Sequence, residues 1–405
     1  MGSGQVRMDD GGLAARPGVR ASGRPSVLRR AASAAACAVL LGAGLAACSP
    51  GEPDPAAEEP TPTSSSAPTT SGAIPTVEAG PPLPADARVM SLGDLPDPAN
   101  GDCELFQTLP PDSDADAEDL VPKIYDRGRL IVGLDQGSNL FSFRDPVSGE
   151  LEGFDVDLAK EIARDIFGDP ERVEFRSLTS GERIAALQDH RVDVVVKSMS
   201  ITCERREHVR FSAPYYSANQ RLLTLRGSDI GQLSDLGGKR VCVAEGTTSA
   251  AKLRDIVGDV TVLSVNTWAD CLVAIQQEQV DAITTDDAIL AGMVAQDPNL
   301  VIVGDYVGAE PYGVGIPPNS PDDNTDGLVR QVNATLERIR DSGRWREMYN
   351  TWLSQYGSNP VMPRPVYSED LPDDAGLSSS TSKPQSSTPP TSGSRSTSTS
   401  EEGGN

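Results

Sequence analysis

The chain has 405 residues, of which 35 are Lys or Arg and 59 are Asp or Glu, for a formal net charge of −24. A surface this acidic repels nucleic acid and anionic lipid, which excludes proteins that bind either one through a basic face. The two histidines, His190 and His208, and the cysteine spacings match no zinc motif, so neither a metal site nor a cofactor is expected.

At the N-terminus, Arg16, Arg20, Arg24, Arg29 and Arg30 precede an apolar run from Ala34 to Leu41, which leads into Leu45-Ala46-Ala47-Cys48. A basic segment, a short apolar segment and small residues make an export signal. The run is too short to span a bilayer, which takes about 20 apolar residues, and no later stretch is long enough. Leu-Ala-Ala-Cys resembles the lipobox of bacterial lipoproteins. That resemblance implies a signal peptide over residues 1–47 and diacylglycerol on the sulfur of Cys48. Cleavage there removes six arginines and two aspartates, leaving 29 basic and 57 acidic residues and a net charge of −28. Lipid alone would hold the protein on the extracytoplasmic face of the cell membrane, stably once more than one acyl chain inserts. Residues 48–117 are read as this anchor and a tether. Their Pro-, Ser-, Thr-, Ala- and Glu-rich stretch cannot bury enough apolar surface to offset chain entropy. Roughly 70 such residues would reach about 45 Å. Residues 367–405 form a second Ser/Thr/Pro-rich tail.

Between tether and tail, β and α signals alternate. Leu130-Ile131-Val132-Gly133 predicts a short buried strand. Phe154 to Phe167 predicts a helix, because Leu158, Ile162 and Ile166 recur every four residues and Gly168 stops it. Val173 to Phe175 predicts a strand. Thr179-Ser180-Gly181-Glu182 is a capping box for a helix through Leu187, and Val192 to Val196 is the next strand. This βαβαβ order predicts a parallel sheet with helices on its faces. The chain then repeats itself. Leu187-Gln188 with Val192-Asp193 recurs as Ile275-Gln276 with Val280-Asp281, an offset of 88. Gly128 to Val132 recurs as Gly238 to Cys242, an offset of 110. Two repeats in the same order predict two similar α/β lobes.

Four cysteines follow Cys48, namely Cys103, Cys203, Cys242 and Cys271, and four thiols allow three pairings. Export permits disulfides. Cys242 lies in an apolar strand-like run and Cys271 in the helix-like segment two elements later; these are paired here, leaving Cys103 with Cys203. In open α/β sheets, ligands bind beyond the carboxyl ends of strands. The residues after the repeated strands are Asp135 to Ser138 and Lys197 to Ser200 in one lobe, and Glu245 to Thr248 and Thr284 to Asp287 in the other. Facing lobes would bring these together as one cleft, rich in hydroxyls and charge, suited to a small zwitterion. No histidine stands between the serines and aspartates of that cleft, so a hydrolytic triad is not supported and no enzyme is expected.

Gly153-Phe154-Asp155-Val156-Asp157-Leu158-Ala159 resembles the signature of family 3 solute-binding proteins, the polar amino-acid-binding proteins of ABC importers. Ser200 to Arg205, Phe211 to Tyr216 and Gly246 to Ser249 are similar to further segments of that family. The likeness runs from about Ile124 to Leu353. Lys197 to Arg205 is most similar to the glutamine/glutamate-binding lipoproteins of actinobacteria. The resemblance implies an α/β, two-lobed fold of the periplasmic binding protein type (type II). Each lobe would be a mostly parallel sheet flanked by helices, with two hinge crossings near Asn219–Leu225 and Gly308–Ile316. Lobe 1 would hold residues 118–220 and 317–366, with helices from Val329 to Trp352 returning to it. Lobe 2 would hold residues 221–316.

By the same likeness, Arg205 would grip the ligand α-carboxylate bidentately, as a planar guanidinium can. Asp286 would take the α-ammonium, helped by a hydroxyl and a carbonyl from Ser200 and Ser198. Thr247 and Thr248 would offer donors at a helix start, where anions are favoured. Asp135 sits where relatives read the distal group of the ligand. Lys197 stands where alanine is usual, and its cation would favour aspartate or glutamate. Alternatively, Asp135 neutralises Lys197 and leaves a site for glutamine or asparagine. Ser138 and Thr179 replace phenylalanines common in the family; Phe141 and Phe143 remain, as apolar grip or as core. The expected partner of this monomer is an ABC permease or, alternatively, a transmembrane sensor. A cyclic-acid dehydratase on the same fold is the enzymatic alternative.

Overall fold

Short apolar runs, buried on both faces, set the frame of the molecule. The computed structural model describes residues 81–97, 101, 103–112, 114–254, 259–321, 323–355 and 361–371. The expected signal peptide, the lipidated Cys48, the tether up to residue 80 and the tail from residue 372 lie outside the described residues.

In chain order the elements begin with β1 (Arg88–Ser91), β2 (Gln107–Thr108), α1 (Ala117–Leu120) and α2 (Pro122–Arg127). Next come β3 (Leu130–Leu134) and a small three-stranded sheet of β4 (Gly137–Ser138), β5 (Ser142–Arg144) and β6 (Leu151–Glu152). They lead to α3 (Phe154–Phe167), β7 (Val173–Ser177), α4 (Arg183–Gln188), β8 (Val194–Val195) and α5 (Cys203–Arg206). A long strand, β9 (Arg210–Leu225), leads to β10 (Arg240–Ala244), α6 (Thr248–Leu253), β11 (Thr261–Val265) and α7 (Trp268–Gln276). After β12 (Ala282–Asp286), α8 (Asp287–Gln296) and β13 (Leu300–Val303), the chain returns through β14 (Ala309–Ile316). It ends in α9 (Asp326–Asp341), α10 (Arg344–Trp352) and β15 (Val366–Tyr367).

The strands run β1-β11-β10-β12-β9-β14-β8-β3-β7, with β13 added on β9. In lobe 1, β3 lies parallel between β7 and β8. In lobe 2, β10 lies parallel between β11 and β12. Each trio ends on an antiparallel neighbour, β14 for the first and β9 for the second. The repeated sequences thus occupy matching central strands, β3 and β10. β9 and β14 pair with each other and carry the chain between the lobes.

Parallel strands need cover on both faces, and alternation supplies it. Val241 and Val243 of β10 join one apolar cluster with Leu236 and Leu253, while Cys242 and Ala244 join the other with Ile275 and Leu290. Cys242 is bonded to Cys271 on α7. In lobe 1, Leu130 and Val132 face Leu158, Ile162 and the returning α9, whereas Ile131 faces Ala186 and Leu187. The four-residue spacing in α3 buries Leu158 and Ile162, and Gly168 ends the helix at a left-handed φ of 73°.

The tether reading fails at residues 88–95 and 103–109, which are built into the fold. β1 pairs with β11, Leu95 is buried in a lobe 2 cluster, Cys103 is bonded to Cys203, and β2 pairs with β15. These anchors are single side chains and pairings of two to four residues, below what periodicity can detect, and the composition around them is polar.

Replacing Cys242 and Cys271 together by Ala opens a link across 29 residues. Chain entropy sets the expected loss at about 2–4 kcal/mol. It should appear as a lower urea midpoint with little change in slope.

Candidate ligand-binding site

The loops after β7, β8, β10, β11 and β12 meet between the lobes. There Lys197, Ser198, Ser200, Arg205, Thr247, Thr248 and Asp286 line one narrow cavity, with Arg183 and Trp268 beside them. Asp135, the remaining residue expected at the site, lies behind Lys197.

Beyond β8 the chain turns sharply, and Ser198 takes a left-handed φ of 38°. Asp155, at the start of α3, holds this turn. Its Oδ2 accepts from the Ser198 N–H at 2.9 Å and its Oδ1 from the Tyr215 hydroxyl at 2.9 Å. Burial pushes the Asp155 carboxyl up to about 7. Lys197 Nζ donates to Asp135 Oδ2 at 2.7 Å, with both side chains buried. Asp135 also accepts from the Ser138 hydroxyl and from the N–H groups of Gln136 and Gly137. Burial opposes its charge, but Lys197 and these donors outweigh burial and hold the carboxyl below the usual range. Of the two arrangements open in the sequence, the ammonium of Lys197 is in the one where Asp135 neutralises it.

α5 is capped by Thr202, whose hydroxyl oxygen accepts from the Arg205 N–H at 3.1 Å. Arg205, 7% exposed, donates to the Ser200 carbonyl at 2.7 Å and across the cleft to the Gly246 carbonyl at 3.1 Å. Arg183, 4% exposed, donates to the carbonyls of Ser180 (2.8 Å), Lys197 (3.2 Å) and Gly246 (3.0 Å). Burial first, and the charge of Arg205 second, push the Arg183 guanidinium down to about 9. Among the described residues, every hydrogen-bond acceptor of these two guanidinium groups is a backbone carbonyl.

On lobe 2, Thr247 caps α6: its hydroxyl accepts from the Ala250 N–H at 3.4 Å and donates to the Ala244 carbonyl at 2.7 Å. The Thr248 hydroxyl donates to Glu310 Oε2 on β14 at 3.0 Å. Asp286 closes β12 with its side chain buried. Its Oδ2 accepts from the Tyr312 hydroxyl, while its Oδ1 is buried without a hydrogen-bond partner. Burial, then the nearby Glu310 charge, push the Asp286 carboxyl up to about 8.

The lobes touch backbone to backbone. Gly246 has φ 71°, and a Cβ there would lie 2.6 Å from the Cα of Gly181. Farther along, the Asn139 amide donates to the Gly292 carbonyl at 3.1 Å.

Sequence reading missed Arg183 and Trp268. Arg183 follows the Thr179–Glu182 box directly and passed as ordinary helix start. The available signal was its i,i+4 relation to Leu187, which put a charge on the buried face. Trp268 opens α7 behind a second box, in which the Asp270 carboxylate accepts from the Thr267 hydroxyl at 2.6 Å. Phe141 packs edge-on against Phe154, Tyr216 and Tyr312 in the lobe 1 core, and the half-buried Phe143 packs edge-on against Trp352.

Residues 130–355 match the model of the bacterial extracellular solute-binding proteins, family 3. The chain belongs to that family. The ABC transporter glutamine-binding protein GlnH of Bacillus subtilis (strain 168) is 36% identical over 239 residues, which cover 59% of this chain and 86% of that protein. Glutamate-binding protein GluB of Corynebacterium efficiens is 31% identical over 260 residues, covering 61% and 86%. Among solved structures, a mutant of ArgBP from T. maritima aligns with a TM-score of 0.53 and 33% identity, over 58% of this chain and 99% of that one. The fold is the two-lobed, type II fold of periplasmic binding proteins.

Asp286 and Asp155 titrate higher in the folded protein than the 3.8 of a free carboxyl. Between those values the folded state holds the extra protons. Their stabilising share is therefore full below about pH 4 and is lost as pH rises through 7 and 8. Asp286→Asn removes the Asp286 share while keeping an acceptor for Tyr312. Urea unfolding should show the variant gaining on the parent protein from pH 5 to pH 8; a constant difference would mean that Asp286 does not titrate there.

Proposed function

We propose that this protein is a lipid-anchored, extracytoplasmic binding protein that captures an acidic amino acid, aspartate or glutamate, between its lobes and delivers it to an ABC importer. The observation that carries the ligand class is the pair of buried guanidinium groups, Arg183 and Arg205, bonded only to carbonyl oxygens. Isolated buried charges are costly, and a carboxylate is the partner that best offsets them. One ligand carboxylate suits Arg205; a second one suits Arg183. Lys197 weighs less, because Asp135 already neutralises it. The partnerless Oδ1 of Asp286 supports an ammonium at the opposite wall, since a buried carboxylate oxygen normally finds a donor. Meeting that ammonium would also draw Asp286 from its proton.

Family membership supports a binding role rather than catalysis. Relatives named for glutamine, glutamate and arginine support an amino-acid ligand and an importer as destination, without choosing among the amino acids. The basic, apolar and small-residue order before Cys48 supports export and lipid attachment. Hinge closure follows from two lobes joined by β9 and β14, with the ligand bridging charges on both sides.

Arg205→Ala should cost about 2–4 kcal/mol of affinity for L-glutamate, because a buried charge-assisted contact is lost. Calorimetry returning an unchanged Kd removes Arg205 from the site. Arg183→Gln separates acidic from neutral ligands. It should weaken L-glutamate and L-aspartate about tenfold more than L-glutamine. Equal losses for all three would turn the assignment toward the neutral amides.

A further inference from the structure

Arg205 stands on a very short helix. α5 spans only Cys203–Arg206, and it is closed by the Arg206 N–H on the Thr202 carbonyl at 3.0 Å and the Glu207 N–H on the Cys203 carbonyl at 3.3 Å. A single turn fixes several dihedral angles for very few bonds, so its orientation depends on what packs against it. Cys203 and Arg206, three positions apart, share one face of this turn. Residues 103–109, which precede the family match at 130–355, hold both. Cys103 is bonded to Cys203, and Arg206, 6% exposed, donates to the carbonyls of Leu105 at 3.0 Å and Gln107 at 2.6 Å. Arg205, between them in sequence, is left to donate to the Ser200 and Gly246 carbonyls at the cleft.

These seven residues have their own footing in lobe 1. The Thr108 hydroxyl donates to the Phe211 carbonyl at 3.0 Å. The Asn333 amide of α9 donates to the Thr108 hydroxyl oxygen at 3.1 Å and to the Leu109 carbonyl at 2.7 Å, while its Oδ1 accepts from the Ala213 N–H at 2.7 Å. Leu109 is buried in the lobe 1 core.

We propose that residues 103–109 are a brace that sets the direction of Arg205, with Cys103 and Arg206 as positioning residues for carboxylate capture. A covalent bond at the first residue of α5 and a guanidinium at the last hold both ends of the turn. Rolling or tilting α5, which would swing Arg205 off its line, is thereby opposed. A charge-assisted contact from a planar fork is strong only when the fork is aligned, and an aligned side chain has less freedom left to lose on binding. Neither Cys103 nor Arg206 lines the narrow cavity, so their effect on a ligand runs through Arg205. The chain on either side of α5 has supports apart from the brace: the Ile201 N–H donates to the Pro311 carbonyl at 2.8 Å, and β9 pairs with β14. The fold therefore survives loss of the brace. The inference rests on the proposed role of Arg205 in holding a ligand carboxylate.

Two variants of the full chain remove the brace in different ways. Cys103→Ser with Cys203→Ser opens the covalent tie. Arg206→Lys keeps the disulfide and the charge but loses the planar fork, and it decides the matter if the first variant does not fold. Ile339→Ala, a truncation in α9 at a fully buried position of the same lobe, is the control for a general loss of stability. Calorimetry with L-glutamate is paired with hydrogen–deuterium exchange of the ligand-free proteins. The double variant should bind about tenfold more weakly and Arg206→Lys more weakly by a smaller factor, with faster exchange over residues 203–209 in both. Ile339→Ala should melt at a lower temperature with the Kd and that exchange unchanged. An unchanged Kd in the brace variants overturns the proposal, as does an equal rise in Ile339→Ala. If the parent does not bind L-glutamate, exchange alone decides. Faster exchange confined to the brace variants upholds the brace while the acidic-ligand assignment falls, and unchanged exchange overturns the brace as well.

Discussion

Two guanidinium groups from lobe 1 meet one carbonyl oxygen of lobe 2, and much of the cleft follows from that meeting. The Gly246 carbonyl accepts from Arg183 at 3.0 Å and from Arg205 at 3.1 Å. Like charges side by side and out of water repel, and each one resists burial. The arrangement holds because backbone carbonyls accept from both groups. It also requires lobe 2 to bring its main chain within reach. Only a residue without a side chain allows this, because at Gly246 the next lobe's Gly181 stands where a Cβ would go. Gly181 is itself placed by the turn in which the Glu182 carboxylate accepts from the Thr179 N–H at 2.8 Å and hydroxyl at 2.9 Å. A local capping device thus serves a contact between lobes.

The carboxyl groups around the cleft divide by environment. Asp135 is buried but touches Lys197 and three further donors, and it stays charged. Asp155 and Asp286 are just as buried, with fewer donors, and ionise less readily. The cleft therefore presents cations on the lobe 1 wall and a poorly ionised carboxyl on the lobe 2 wall. A zwitterion oriented with its ammonium toward Asp286 supplies the missing charge on both sides. In the proposed reading this asymmetry, rather than an aromatic clamp, would orient the ligand, since the Ser138 and Thr179 hydroxyls are each bonded to a nearby carboxylate.

Strands, the α3 helix and the doubled organisation were legible because they rest on periodicity and on short apolar runs. That Arg205 and Asp286 line the cleft was legible as well, since strand ends locate a cleft and the family likeness points to those positions. The Lys197–Asp135 bond was not, because 62 residues separate the partners and two arrangements satisfied the same composition. Arg183 was hidden behind a capping motif that explained its neighbours without it. The part of the N-terminal segment that joins the fold was hidden for another reason. Its anchors are single side chains and two- to four-residue pairings, stabilised by partners far along the chain. Among them are the Arg254 bond to Leu95 and the Arg206 bonds to Leu105 and Gln107. Composition measures what a segment can bury by itself, and this one is held by what others bury against it.

β14 is where binding and lobe geometry become one matter. The Tyr312 hydroxyl donates to Asp286, and Glu310 accepts from Thr248 and from Lys252, all on lobe 2. The same strand pairs with the Ser200 loop of lobe 1, where the Ile201 N–H donates to the Pro311 carbonyl at 2.8 Å and the Gly313 N–H to the Met199 carbonyl at 3.0 Å. Ser200 and Tyr312 face each other across that ladder. A rotation of one lobe must therefore either carry these contacts along or break them. Removing the proton from Asp286 changes the bond that Tyr312 makes from within the crossing strand. In the proposed reading, charge at a ligand ammonium would be felt at this crossing strand through one hydroxyl, over a path of two residues. Coupling occupancy to closure requires an element that both walls of the cleft bias, and β14 touches both walls.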